Sequence, residues 1–414
     1  MKQQKWFTLH HWAGFHLSLL MTFILLTGTF ATISADLDWL ANPAIRANQS
    51  VAQQQHLNWS ALLYSVQTYR PQTQIDSIHR PHMPWHNVEV IARDTQGQRF
   101  RIYLDAYTHE ITGQGTWFNW QRFFRQVHRH FMLPIKVGVT LVGIFALVLL
   151  FLLITSLYLY RNWWRYFFAF SRVKKAQQTK YPLKPQKRAA HKRRFWSELH
   201  KMAGLWSLWF IMVISLTGLW YLAEQWGAAA SYSNFTPKDP ATQSTPITRF
   251  SPQVLSRSIQ YIADHNPEYL INQIRFLGKK GLIEIEGQAQ AWLVRDRANK
   301  QVFEARTARW IDGRKGEELN WHFRISEAAD PLHFGTFSSW AFRYIWFVFG
   351  LLLCSLSITG VYLYLLRLKQ SGLLNTKTKT AKLVTLWNKS HWFKWPSVIL
   401  LAITTYLVLE EFVF

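Results

Sequence analysis

The chain has 414 residues, 49% of them hydrophobic, and a formal charge of +24. Its apolar runs reach the roughly 18 residues needed to cross a bilayer, which excludes a water-soluble globular protein. The single cysteine, Cys354, lies inside one of these runs, which excludes disulfides, cysteine-based zinc sites and iron–sulfur clusters.

Residues 1–33 form the first predicted membrane segment, with its apolar run at Trp12–Ile33. A basic start (Lys2, Lys5) and small residues near Ala31–Ala35 give it the outline of a signal peptide. The run is long for one and carries His16, so it reads as an uncleaved span. Residues 34–127 follow as an outer domain. Its amphipathic "LNWSALLYSVQTYR" gives way to the alternating "NVEVIARD" and "RFRIYLDAYTHEITG", so the period changes from helical to twofold. The proline-broken "HRPHMPWH" between them reads as a loop, and His79, His82 and His86 make it a candidate metal site by residue type.

The second segment, 128–160, opens on "QVHRHFMLP" and contains the run Pro134–Tyr160. Residues 161–198 are densely basic, with Glu198 the one acid. A short Lys/Arg-rich loop stays on the cytoplasmic side. That places the N-terminus inside, Ser34–Arg125 and Trp226–Leu332 outside, and Leu368–Ser390 inside. Anionic lipid is the partner that explains this charge, and no nucleic acid is expected. The third segment is 199–225, with its run at Met202–Leu222. Over 226–332 a second outer domain repeats the order of the first, from "SPQVLSRSIQYIADH" through "INQIRFLG" and "GLIEIEG" to "AWLVRDRANKQVFEA". A fourth segment spans 333–367, with Ile345–Leu366 as its run. An inner loop at 368–391 and a fifth span at 392–414 complete the chain.

The order is a duplication. Leu-His-x-x-Ala-Gly begins at Leu9 and again at Leu199, so His10 matches His200 and Gly14 matches Gly204. Without a gap, Thr27–Gly28 also matches Thr217–Gly218. "LLITSLYLYR", ending at Arg161, resembles "LSITGVYLYLLR", ending at Arg367, and a histidine precedes each of these spans (His128 or His130, and His333). The predicted fold is an α-helical membrane bundle with a four-span core of two tandem, parallel repeats and a fifth C-terminal span. Two small outer α+β domains complete it.

The span-associated histidines fall at two depths. His10, His11 and His200 stand at the inner mouths, and His128, His130 and His333 at the outer ones. Two layers, each drawing imidazoles from two helices, are what two stacked bis-histidine haems require. Gly14 and Gly204 lie one turn beyond His10 and His200 on the same face, where a side chain would collide with a flat macrocycle. Small residues also allow close helix packing, and an interfacial histidine is often only a polar residue at the boundary. The duplication separates this set from those readings. His10 has its counterpart in His200, whereas His11 matches Lys201 and His16 matches Trp206. An ionisable residue within a span, such as His16, is still a functional candidate. Two haems near opposite faces would divide a core of about 30 Å into shorter electron steps. No Gly-rich dinucleotide fingerprint occurs, and the electron donor, quinol or a partner reductase, stays open.

"LHHWAG…LLTGT…DLDWL…NP", "LHKMAG…SLTG", "VHRHF" and "DPLHFGTFSSWAFRYIWFVFGLL…ITGVYLY" resemble the PepSY-associated transmembrane proteins, from Lys5 to about Arg367. That family includes bacterial inner-membrane proteins linked to the reduction of ferric siderophores. The resemblance implies PepSY-like periplasmic domains and two haems b, with the acceptor a ferric siderophore or other Fe(III) chelate. It implies His10 and His200 as axial ligands of the cytoplasmic haem and His128 and His333 of the periplasmic one, with His130 an alternative. Two rival readings are a non-redox regulator, whose outer domains bind a protease or peptide, and a siderophore or metal permease. Paired histidines favour redox chemistry over the first. Few buried charges and no evident broken-helix pair count against the second.

Overall fold

The computed structural model describes residues 2–51, 56–167, 185–232, 246–370, 378–390, 392 and 394–413. Much of the basic loop, 168–184, and part of the expected inner loop, 371–377, lie outside these residues. In chain order the main elements begin with α1 (Lys2–His16), α2 (Ser18–Thr32), α3 (Ser34–Ala41) and α4 (Trp59–Tyr69). Strands β1 (Gln74–His79), β2 (Val88–Arg93), β3 (Arg99–Leu104) and β4 (Ile111–Thr116) follow, then α5 (Trp120–His130) and α6 (Ile135–Leu159). The second half contains α7 (Pro185–Trp206), α8 (Leu208–Ala223) and α9 (Pro252–His265). After them come β5 (Leu270–Leu277), β6 (Leu282–Gln288), β7 (Asn299–Glu304) and β8 (Trp310–Arg314). The chain ends with α10 (Trp321–Phe334), α11 (Ala341–Gln370), α12 (Lys379–Lys389) and α13 (Lys394–Val413).

Two compact units divide these elements. A helical unit takes Met1–Thr32, Phe123–Ala228 and Arg343–Phe414, and a sheet unit takes Ile33–Arg122 and Ala229–Phe342.

In the helical unit, three helices among the described residues are long and apolar enough to cross a membrane: Ile135–Leu159, Leu208–Ala228 and Ala341–Leu368. The expected first span is not one straight helix. It is the pair α1 and α2, bent by 66° across Leu17, and counting the pair as one span brings the number to four. The second half breaks at the matching place, since Ser207 separates α7 from α8. Ser207 has φ −86° and ψ 0°, in the sparsely populated bridge region. Neither break contains the Gly or Pro that would have announced it, and at the first the Ser18 hydroxyl takes the Phe15 carbonyl at 2.7 Å. The expectation of no broken-helix pair is therefore corrected.

His128 and His333 also sit on helices that precede the spans proper, α5 and α10, rather than on the spans themselves. Phe131 and Met132 make the corner from α5 to α6 with φ of 55° and 61°. Non-glycine residues take that conformation only where surrounding packing enforces it. Here Phe131 is wholly buried with Leu20 and Ile24 and stacks on Phe23 at 5.9 Å. The C-terminal segment forms α13, whose Leu400 and Leu401 pack on this cluster and whose Thr404 hydroxyl donates to the Phe131 carbonyl at 3.2 Å.

The sheet unit holds one antiparallel sheet of eight strands, ordered β4-β3-β2-β1-β5-β6-β7-β8. The two outer segments, expected as separate α+β domains, therefore each contribute four strands to a common sheet. They join where Ser77, Ile78 and His79 pair with Arg275, Ile274 and Gln273. Each half has its helix first, α4 before β1 and α9 before β5, as the amphipathic stretches predict. Local chemistry starts both helices: the Asn58 side chain accepts from the Ala61 amide, and Ser251 caps a helix with Pro252 at its first position. Leu62, Leu63 and Val66 of α4 and Leu255 and Ile262 of α9 are buried in one core with Ile78, Val90, Ile102 and Ile274. Full burial of each such side chain contributes about 1.5–3 kcal/mol. Charged ladders run along the sheet, where Lys300 reaches Glu284 and Glu286 at 2.8 Å each and Arg101 pairs with Glu89.

Candidate functional site

The two copies of the Leu-His-x-x-Ala-Gly frame meet in one place. A cavity of about 680 Å³ in the helical unit is lined by His10, Gly14, His200, Gly204, Ser156 and Gly360 among others. That volume is within the range of cofactor sites, roughly 300–1,000 Å³. The lining repeats by halves: His10 with His200, Gly14 with Gly204, Ser156 with Gly360. Leu17 at the first break and Leu205 and Leu208 beside the second also line it, so the paired helix breaks border the cavity.

Each histidine is tied to the second long helix of its own half. His10 Nδ1 lies 2.8 Å from Thr155 Oγ1 on α6, and His200 Nδ1 lies 2.8 Å from Thr359 Oγ1 on α11. The threonines occupy the same place in the duplicated "LLITSLYLYR" and "LSITGVYLYLLR". A hydroxyl has a single proton to give. Thr155 donates to the Phe151 carbonyl at 2.9 Å, and Thr359 donates to the Ser355 carbonyl at 2.7 Å. A threonine that gives its proton to that carbonyl accepts from the imidazole, and this arrangement puts the imidazole proton on Nδ1 and the lone pair on Nε2, as a metal ligand requires.

The glycines leave room beside these rings. A Cβ built at Gly14 meets nothing within 4 Å, and one at Gly204 meets only Leu356 Cδ2 at 3.9 Å. His11 also lines the cavity and packs edge-on against Phe7 at 4.5 Å, while His16 packs between Trp12 and Phe15 at 5.3 and 5.2 Å. Neither has an equivalent in the second half, where Lys201 and Trp206 stand instead.

His128 rests on the other duplicated glycine. Its Nδ1 donates to the Ile24 carbonyl at 2.9 Å, and a Cβ at Gly28 would stand 2.6 Å from its Cε1. The matching Gly218 faces Ala146 instead, with a built Cβ 2.9 Å away. One glycine admits an imidazole, and its counterpart admits a neighbouring helix. His130 is on the far end of α5, with its backbone carbonyl and Cβ against Gly138. His128 belongs to the helical unit, and His333, in the last turn of α10, belongs to the sheet unit.

The Pro-rich loop behaves differently from a metal cage. His79 is the last residue of β1, and its Nε2 lies 2.8 Å from Ser77 Oγ. Burial holds its pKa down at about 4, with Arg101 and Arg275 adding to the effect and Glu89 opposing it. His86 is buried and His82 exposed. Among the described residues, no three His, Cys, Asp or Glu side chains gather closely enough to hold a metal ion.

Sequence reasoning found His10, His200, Gly14 and Gly204 but missed Thr155 and Thr359. The signal was present: both are the Thr of a duplicated Ile-Thr, at the same offset between halves as the surrounding span. No curated protein matches the chain. The PepSY-associated TM region family matches residues 7–367.

Proposed function

Because the chain belongs to the PepSY-associated transmembrane family, we propose that it carries haem and passes electrons outward through the bacterial inner membrane to ferric iron held by a siderophore. One observation carries this reading. Two imidazoles from duplicated helices line one cavity, and the Nδ1 of each lies 2.8 Å from a threonine hydroxyl, a contact that leaves Nε2 available when the ring donates.

The residues fit a bis-histidine haem by the chemistry of the donor set. His10 and His200 would hold it, Gly14 and Gly204 leave the neighbouring space open, and leucines such as Leu152 and Leu356 exclude water. When bound, the haem supplies a one-electron couple. For a second haem the sequence names His128 and His333. The seating of His128 over Gly28, anchored by the Ile24 carbonyl, favours it over His130. The basic loop would hold the N-terminus on the cytoplasmic side next to anionic lipid. The inner cavity would then receive electrons from quinol or a partner reductase. Reduction weakens hard oxygen ligands on iron by lowering its charge, so a reductase of this kind requires no proton-transfer triad.

The test is the oxidised and dithionite-reduced visible spectrum of the purified protein. Two haems per chain are expected, and His10→Ala and His200→Ala should each remove one and the same haem. Absence of a Soret band after expression with ample haem would overturn the proposal. The paired breaks at Leu17 and Ser207 favour a second reading, a permease for a metal chelate, since discontinuous helices often border transport sites. Counter-flow of a labelled ferric chelate in proteoliposomes by haem-free protein would support that reading.

A further inference from the structure

We propose that Thr155 and Thr359 are positioning residues that set the tautomer, orientation and donor strength of His10 and His200. The inference rests on the haem reading for its consequence but not for its geometry. Each Nδ1 lies 2.8 Å from a threonine hydroxyl, and a carbonyl one turn back, at 2.9 Å for Thr155 and 2.7 Å for Thr359, is an acceptor to which that hydroxyl's proton can be committed. A hydroxyl so committed can only accept, and it becomes a better acceptor because its own proton is engaged. The arrangement occurs twice, on different pairs of helices, at corresponding positions of the repeat.

Two consequences follow. The bond selects one of the two neutral tautomers, which a histidine facing an apolar cavity would otherwise exchange. It also fixes rotation of the ring about its own axis, because Nδ1 is tethered to a helix other than the one that carries the histidine. Withdrawal of the Nδ1 proton toward an acceptor raises the basicity of Nε2, and a more basic ligand favours Fe(III) over Fe(II). Thr155 and Thr359 would therefore hold the inner couple at a lower potential than the same imidazoles without partners. A bond between helices could instead serve only to hold them together, and the experiment separates the two roles.

Thr155→Val and Thr359→Val keep the shape and remove the hydroxyl, while Thr→Ser at each position keeps the hydroxyl and removes the methyl. In full-length protein in nanodiscs, each Val variant is expected to raise the midpoint potential of the inner haem and to broaden its low-spin EPR signal. Each Ser variant should restore both. Unchanged potential and EPR in the Val variants, or Ser variants that behave like Val, would overturn the proposal. The tautomer is read independently in protein from haem-limited cells, by ¹⁵N NMR of labelled histidine. Nδ1–H signals for His10 and His200 are expected in the wild type, with loss at one histidine in each Val variant. Nε2–H signals in the wild type would overturn the positioning role even if haem binds. A wild type that never binds haem but shows Nδ1–H signals would sink the haem reading and leave the threonine assignment standing.

Discussion

Gly28→Ala is the sharpest stability test of the helical unit. The added Cβ would stand 2.6, 2.8 and 3.1 Å from Cε1, Nδ1 and Nε2 of His128. Non-bonded carbon atoms settle at about 3.5–4.0 Å, so the ring must retreat by about 1 Å. It cannot do so and keep its 2.9 Å bond to the Ile24 carbonyl. Forced repacking costs about 1–3 kcal/mol, and the broken hydrogen bond adds about 1 kcal/mol. Replacing glycine within a helix returns up to about 1 kcal/mol. The net expectation is destabilisation by about 1–3 kcal/mol. Gly14→Ala is the control, because its Cβ meets nothing within 4 Å. There the helix-propensity gain stands alone, and the variant should be as stable as wild type or more so. Thermal unfolding of both variants in the same detergent, without haem, reads the two signs. A Gly28→Ala protein that melts at or above the wild-type temperature would refute the placement of His128 on that glycine.

Two further predictions concern the sheet unit. Glu327, its side chain 1% exposed, accepts from Arg295 at 2.8 Å, Arg297 at 3.0 Å and the Tyr232 hydroxyl at 3.0 Å. Glu327→Gln leaves Arg295 with Asp330 as its carboxylate partner and Arg297, itself 44% exposed, facing a neutral amide, and should cost about 1–3 kcal/mol, read as a fall in the unfolding midpoint. A loss under about 1 kcal/mol would contradict the burial of that network. The second prediction is a pair of opposing pH slopes. Burial holds His79 at about 4 against its ordinary 6.5, so the unfolded chain takes up that proton first and stability falls as pH drops from 6.5 toward 4. Burial pushes Asp38 up to about 6 from 3.8, against the Gln121 and Trp120 amides, so stability falls as pH rises between those values. The slopes oppose one another, each bounded by about 1.4 kcal/mol per pH unit. Asp38→Asn should therefore leave stability rising with pH from about 4 to 6.5, and His79→Asn should leave it falling from about 4 to 6. Parallel profiles in the two variants would show that neither group is desolvated as described.

The features legible in the sequence were those written into short, contiguous patterns. The repeat of His10 and Gly14 at His200 and Gly204 located the cavity because histidine and glycine lie within one turn of each other. The amphipathic "LNWSALLYSVQTYR" and "SPQVLSRSIQYIADH" announced α4 and α9 by their helical period, and the structure adds the caps, Asn58 and Ser251 with Pro252. What escaped depends on distant partners. Thr155 and Thr359 look like ordinary span threonines that bond back to their own helix, and their second role exists only once α1 and α7 pack beside them. The break at Leu17 has no Pro or Gly to announce it. Joining of the two sheets was invisible for the same reason, since alternation in β1 and β5 tells which side chains face the core and nothing about which strand lies alongside.

That junction gives a physical reason for the duplication in the sheet unit. A single half ordered β4-β3-β2-β1 ends on β1, an open edge whose unpaired amides and carbonyls invite association with other chains. The second half ends on β5 with the same defect. Pairing them closes both edges at once, and the contact is extended past the ladder where the Arg80 amide and guanidinium reach the carbonyls of Asn272 and Ile271 at 2.8 and 2.9 Å. Ile78 and Ile274 face each other across the join, and both are fully buried. The helical unit uses the repeat in the same way, because each half supplies one imidazole in contact with a threonine, and the second half adds about a third of the lining of the shared cavity. A chain ending after α6 would keep the His10–Thr155 bond yet face it with an incomplete cavity, and would leave the outer edge of β1 unpaired. Neither half is therefore a smaller version of the whole: the pairing of His10 with His200 in one cavity and edge closure both require the second copy.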